Sequence, residues 1–311
     1  IQIARARSRR DCRRVRMNKI PVGKTVAFAY NFLFTRFGTV VGITALPALL
    51  AATVDYLVRS YISTEDTASA AGTNLLISVA GMGMTIFIWA VTSVGLVRAA
   101  LGLPIGSGAY YFPVGMVELR MFGAMLRFWL GVVVLIFLAS LFSGFAFMLA
   151  GVPLDGSSQP EPSAALLIAG LITWAAFGYA VYTIVRMGFL LSPTVVCESK
   201  GLQRSNDLTR GNFWRIIAIL LALILPILFL LSIVGAVILR AALGNDYQQI
   251  IEDDGMDELI RRAEEAIAQN VLLWEVFNIM IFILAAGLIY GAAAYAYQAA
   301  TGKPPPDTNA R

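Results

Sequence analysis

Apolar residues in this chain come in long unbroken runs rather than in alternation. Six runs stand out, at about 39–60, 74–98, 128–150, 164–187, 213–240 and 271–298. A helix needs about 20 mostly apolar residues to cross roughly 30 Å of hydrocarbon. Lipid also obliges each crossing segment to satisfy its own backbone polar groups. The pattern therefore predicts an all-α polytopic membrane protein with six transmembrane helices in three hairpins. No period-two alternation argues for a barrel.

The stretches before the odd-numbered spans are mixed in polarity. They read "IPVGKTVAFAYNFLFTRF" at 20–37, "FPVGMVELRMFGAMLRFW" at 112–129 and "ESKGLQRSNDLTRGNFWR" at 198–215. Each closes on a basic and aromatic cluster: Arg36 with Phe37, Arg127 with Phe128 and Trp129, and Arg210 with Phe213, Trp214 and Arg215. Such a segment reads as an amphipathic helix in the headgroup plane that turns into a crossing helix. Its Arg reaches lipid phosphate and its aromatics mark the interface. The expected unit is an interfacial helix plus a hairpin, used three times. In the third unit Gly211 suits the left-handed close of the first helix, and Asn212 is placed to cap the next.

Charge orients the bundle. With the N-terminus in the cytoplasm and six crossings, 20 of the 24 Lys and Arg fall on the inner side. The outer side keeps Arg59, Arg240, Arg261 and Arg262. Setting aside the first sixteen residues leaves the bias at 13 to 4. The expectation is that both termini are cytoplasmic in a bacterial inner membrane. Residues 1–16, with seven Arg, read as a basic tail from an over-extended frame, "MNKIPVGKT" being the natural start. A polybasic tail on anionic lipid is the second reading, and a nucleic-acid arm the third. The domain proper is 17–311. Its third outer loop holds an expected helical cap at 245–269, with Met256, Leu259, Ile260, Ala263 and Ile267 on one face.

The third polar stretch has a family look. Arg186, Pro193, Glu198, Ser205, Leu208, Thr209, Gly211, Asn212, Phe213, Trp214 and Arg215 form the series. It resembles the bacterial membrane-domain family named after glycerophosphoryl diester phosphodiesterase, with its related six-helix inner-membrane proteins. Asn206-Asp207 replaces an aromatic common in that pattern. The match covers about thirty residues, and the six-span layout extends it more loosely. In the family the phosphodiesterase is a separate soluble domain. The resemblance thus implies a membrane fold here and nothing catalytic.

Composition narrows the chemistry. The chain is 58% hydrophobic and 14% charged, without His and with only Cys12 and Cys197. Lack of His removes the commonest general base and transition-metal ligand. No catalytic constellation, metal set or cofactor motif emerges; "VGKT" at 22–25 lacks the glycine and strand of a phosphate loop. Candidate lipid- or partner-binding residues are Arg36, Arg127, Arg186, Lys200, Arg204, Arg210, Trp214 and Arg215. The competing reading is plain positive-inside anchoring. Asp55 with Arg59 reads as a local pair, and Arg240 with Glu275 as an outer-edge pair fixing the last hairpin. A buried, unpaired Glu275 would instead favour transport. Gly38-x-x-x-Gly42 and Gly287-x-x-x-Gly291 predict close helix approach, and Pro47 and Pro226 bends. The leading expectation is a non-enzymatic scaffold or accessory protein. It binds membrane lipids, and a larger membrane complex or homo-oligomer, but no nucleic acid. A transporter or channel for a small or lipid-like solute is the alternative.

Overall fold

A computed structural model describes residues 18–62, 68–104, 114–149, 164–188, 194–195, 201–243, 261 and 271–302. Every regular element among them is helical. The helices are α1 (Val22–Thr35), α2 (Phe37–Ile62), α3 (Ala68–Ala100), α4 (Met116–Leu149), α5 (Ala164–Gly188), α6 (Gly201–Thr209), α7 (Phe213–Leu243) and α8 (Val271–Thr301). Among the described residues, five helical stretches suffice by length and composition to cross a membrane: Phe37–Tyr61, Gly72–Ala100, Met116–Phe142, Phe213–Val237 and Trp274–Thr301. The chain is a multi-pass membrane protein. The expected cap at 245–269 lies outside the described residues apart from Arg261, and the tail 1–16 lies wholly outside them.

α8 is the hub. It packs on α1, α2, α3 and α7, while α4 and α5 pack chiefly on each other. Small residues make the hub possible. Ala286, Ala292, Ala294, Ala296 and Ala300 are fully buried along its second half. A Cβ on Gly291 would stand 2.9 Å from the Phe32 ring and 3.6 Å from Ala29 Cα, and one on Gly287 would stand 2.8 Å from Leu33. Without a hydrophobic drive between helices in lipid, this close backbone approach supplies the dispersion contacts that hold them together. The Gly287–Gly291 expectation holds, with α1 as the main partner and Val40 of α2 beside Gly287. Gly38 behaves differently, since a Cβ there would meet nothing.

The threefold expectation needs correcting in two units. α1 does not lie apart in a plane. The segment just ahead of it is tied at Asn18 to Ala300, the middle of α1 crosses Gly291 and its end meets Gly287. It therefore climbs roughly 20 Å along α8 at 1.5 Å per residue. The reason lies in its buried face of Thr25, Ala29, Phe32 and Leu33, which fits the glycine seam. In the second unit no break separates the amphipathic stretch from the span. α4 runs unbroken for 34 residues, because 116–129 holds only Gly123 among breakers and no Pro. The third unit follows expectation: α6 is separate, and Gly211 turns the chain at φ 83°. Helices α2 and α7 continue through Pro47 and Pro226.

Burial is one-sided. In α2, α3, α4, α5, α7 and α8 the buried apolar residues sit in the half nearest Arg36, Arg98, Glu118, Arg186, Arg215 and Thr301; among the described residues Phe277 alone departs from this. We call this the basic end. Towards the far end the same helices expose Tyr61, Leu76, Phe142, Trp174, Phe229 and Val237.

Candidate functional site

At the basic end helix termini are stitched together by polar groups. Each helix leaves its last carbonyls without an intrahelical donor. Two arginines fill some of these needs, and a third ties down the segment ahead of α1. Arg36, at the turn between α1 and α2, donates from Nη1 to the Ala99 carbonyl at the end of α3, at 3.2 Å. Arg186, in the last turn of α5, donates from Nη2 to the Asn206 carbonyl of α6 at 3.3 Å and from Nη1 to the Tyr182 hydroxyl. Its own carbonyl accepts from the hydroxyls of Ser205 and Thr209, at 3.2 and 3.3 Å. Arg215 donates to the Ile20 carbonyl at 2.9 Å. These three guanidinia are thus partly committed to the fold, although each carries five N–H donors.

Asn212 is central and does something other than capping. It sits just ahead of α7, yet its Oδ1 accepts the Ile20 N–H at 3.0 Å and its Nδ2 donates to the Asn18 carbonyl at 3.3 Å. Asn18 N–H in turn donates to the Ala300 carbonyl at 3.2 Å. Residues 18–20 therefore form a clasp across the start of α7 and the end of α8. Ile20 and Asn212 are both buried within it. The extended clasp cannot use a helical ladder, so a carboxamide offering both a donor and an acceptor takes the ladder's place.

A second tie joins α3 to α4. Arg98 lies 3.5 Å from Glu118, whose side chain is 3% exposed. Glu118 Oε2 also accepts the Gly115 N–H at 3.1 Å, the return half of a capping box. Sequence reasoning placed Glu118 only as part of the second polar stretch and gave Arg98 no role. The Gly115-x-x-Glu118 spacing was the available signal for the cap.

The remaining expected residues divide cleanly. Arg127 and Arg210 are exposed. Trp214 is 77% exposed beside Phe213. Lys200 lies outside the described residues, as does the side chain of Arg204. Arg36, Arg186 and Arg215 thus share one end of the bundle, but as ties between helices rather than one open pocket.

At the far end Asp55 pairs with Arg59 at 2.9 Å, as expected. The Arg240–Glu275 expectation fails: no ion pair joins them, and Arg240 is exposed. Glu275 instead opens on a 250 Å³ cleft between α2, α3 and α8, shared with Asp55, Thr85, Asn278 and Phe282. The helix register explains the change. α8 turns Glu275 and Asn278, three residues apart on one face, towards α2. The cleft gathers two carboxylates, an amide and a hydroxyl against apolar walls, a set that suits a cationic group. Comparisons of the chain with protein-family models, with curated proteins and with solved structures return no match.

Proposed function

We propose that the protein is a six-span, three-hairpin component of the bacterial inner membrane with both ends cytoplasmic. In this reading α5 is the sixth span, and the protein acts without catalysis as a scaffold that engages anionic lipid headgroups. One observation carries the reading: the charge at the stitched end. Lys19, Lys24, Arg36, Arg98, Arg120, Arg127, Arg186, Arg210 and Arg215 gather there, against Glu118 and Asp207 among the described residues. Cations of this density next to apolar spans sit on the cytoplasmic side and attract an anionic leaflet, at about 1 kcal/mol per residue near the surface. The resemblance of 186–215 to six-helix inner-membrane proteins points the same way. The test is purification in native lipid with mass spectrometry of the retained lipids. Anionic phospholipid should be enriched over bulk, and the combined Lys24→Gln, Arg127→Gln and Arg210→Gln variant should lose the enrichment. A bulk-like lipid complement in the unmodified protein would sink the proposal.

The far-end cleft supports a second reading, a transporter or channel for a small solute. Carboxylates within apolar spans are costly and often line a pathway. Proteoliposome flux of a small alkylammonium ion tests it. Uptake that disappears in Glu275→Gln supports this reading, and flux no greater than in protein-free vesicles removes it.

A further inference from the structure

α4 and α5 face each other across a 670 Å³ groove that includes Leu135, Ala139 and Gly144 on α4, and Gly170, Phe177 and Ala180 on α5. This volume lies in the range of about 300–1,000 Å³ typical of ligand pockets. The groove opens among residues exposed on both helices, including Ile136, Phe137 and Trp174. With α5 as the proposed sixth span beside α4, its occupant is drawn from a hydrocarbon solvent. Its lining is mainly apolar, with the Ser140 and Thr173 hydroxyls as the exceptions, and suits an acyl chain better than bulk water.

The groove has a register relative to charge. Leu135 lies roughly 12 Å beyond Arg127 along α4, and Gly144 roughly 25 Å beyond it, at 1.5 Å per residue. One leaflet holds about 15 Å of hydrocarbon. A lipid with its phosphate level with Arg127 would therefore lay its chains along the near part of the groove, around Leu135 and Ala139. Trp129, 44% exposed, marks the same headgroup level. Arg127 is exposed, and no hydrogen bond or ion pair engages its side chain among the described residues. This sets it apart from Arg36, Arg186 and Arg215, each of which donates to a backbone carbonyl. A free guanidinium binds phosphate oxygens in bidentate fashion.

We infer that the α4–α5 hairpin holds one resident anionic phospholipid, its phosphate on Arg127 and an acyl chain in the groove. The inference rests on the lipid-scaffold reading and gives it a place and a lipid class. The surrounding cations select net negative headgroups over zwitterionic ones, which present the same phosphate beside a compensating ammonium.

The experiment uses the full chain in nanodiscs doped with phospholipids carrying a mid-chain diazirine, either phosphatidylglycerol or phosphatidylcholine. After irradiation, labelled peptides are mapped. Phosphatidylglycerol should label 135–144 and 170–184 about fivefold more than phosphatidylcholine, the factor given by about 1 kcal/mol of net attraction to the surrounding cations. Arg127→Gln should lower the groove label from either lipid about tenfold, through loss of one charge-assisted contact, and Arg127→Lys should keep part of it. Ala139→Phe, which fills the groove and leaves the charge alone, should move the label elsewhere while total anionic lipid retention stays unchanged. Equal labelling by both lipids, label confined to other helices, or indifference to Arg127→Gln would overturn the inference. So would chain-to-chain cross-links through the groove in place of lipid label. Retained bulk enrichment without label here refutes this site alone, whereas loss of enrichment in the unmodified protein refutes the scaffold reading beneath it.

Discussion

The two halves of this molecule are built from the same helices but hold together differently. Near the basic end α2, α3, α4, α5, α7 and α8 bury Val40, Val94, Met121, Val185, Ile219 and Ala296. Towards the far end the same rods present Tyr61, Met82, Phe145, Trp174, Phe229 and Val276 outward. Apolar character does not distinguish the two, since both halves are greasy. Small residues and polar ties do. The basic half has the Gly287–Gly291 seam, the clasp at 18–20 and the Arg98–Glu118 pair, whereas among the described residues the far half has the contact of Gly81 with Val58, one exposed ion pair and a cleft. In a bilayer, burial needs interlocking shape and satisfied polar groups, because lipid solvates leucine as well as another helix does.

Perturbations on the two sides should separate sharply. The largest effect is expected from Arg98→Met, which takes the Arg98 guanidinium away from the buried Glu118 carboxylate. Loss of one partner of such a pair costs about 3–5 kcal/mol. The unfolding midpoint in detergent should fall steeply, and adding Glu118→Leu should recover most of the loss. If the single variant melted like the parent, the stitched end would be ornamental.

Gly291→Leu comes next. It forces a side chain against the Phe32 ring and the Ala29 backbone, with a cost of about 1–3 kcal/mol from overpacking. Gly235→Leu on α7 is its counterpart, since a Cβ there meets nothing. It should shift stability by no more than about 0.5 kcal/mol. Equal shifts for the two would erase the contrast between the halves.

Asn212→Ala ranks third. It leaves the Ile20 N–H without its acceptor in a buried place, at a cost of about 1–3 kcal/mol. Amide exchange at Ile20 should accelerate well before global unfolding, and an unchanged rate would show that the clasp bears no strain. The smallest effect is expected from Arg59→Gln. An exposed i,i+4 pair contributes about 0.3–0.5 kcal/mol, so its melting curve should nearly overlay that of the parent.

Much of this architecture was readable in the sequence. Apolar run length found the long helices, and Gly211 announced the turn before α7. The Asp55–Arg59 pair was visible because both residues lie on one helix, four apart. What escaped were contacts between distant segments. Nothing near Arg98 names Glu118 as its partner, and the pairing exists only because α3 and α4 pack. Asn212 occupies a capping position, so local rules assigned it to the helix that follows; tertiary packing gave its side chain to Ile20. Glu275 was matched with the closest cation along the hairpin, whereas the rotation of α8 turned it towards α2. The interfacial-helix motif misled in the first unit for a related reason: amphipathic periodicity reveals a buried face but not whether lipid or another helix covers it.

The clasp also bears on biogenesis. Asn18 and Ile20 find their partners at residues 212, 215 and 300, separations of more than 190 positions. During synthesis those early residues leave the ribosome long before α7 and α8 have been inserted. The opening segment must wait, unsatisfied, while the rest of the membrane domain is threaded. Its closure is then a late checkpoint in assembly, reached only by chains whose last helix has arrived.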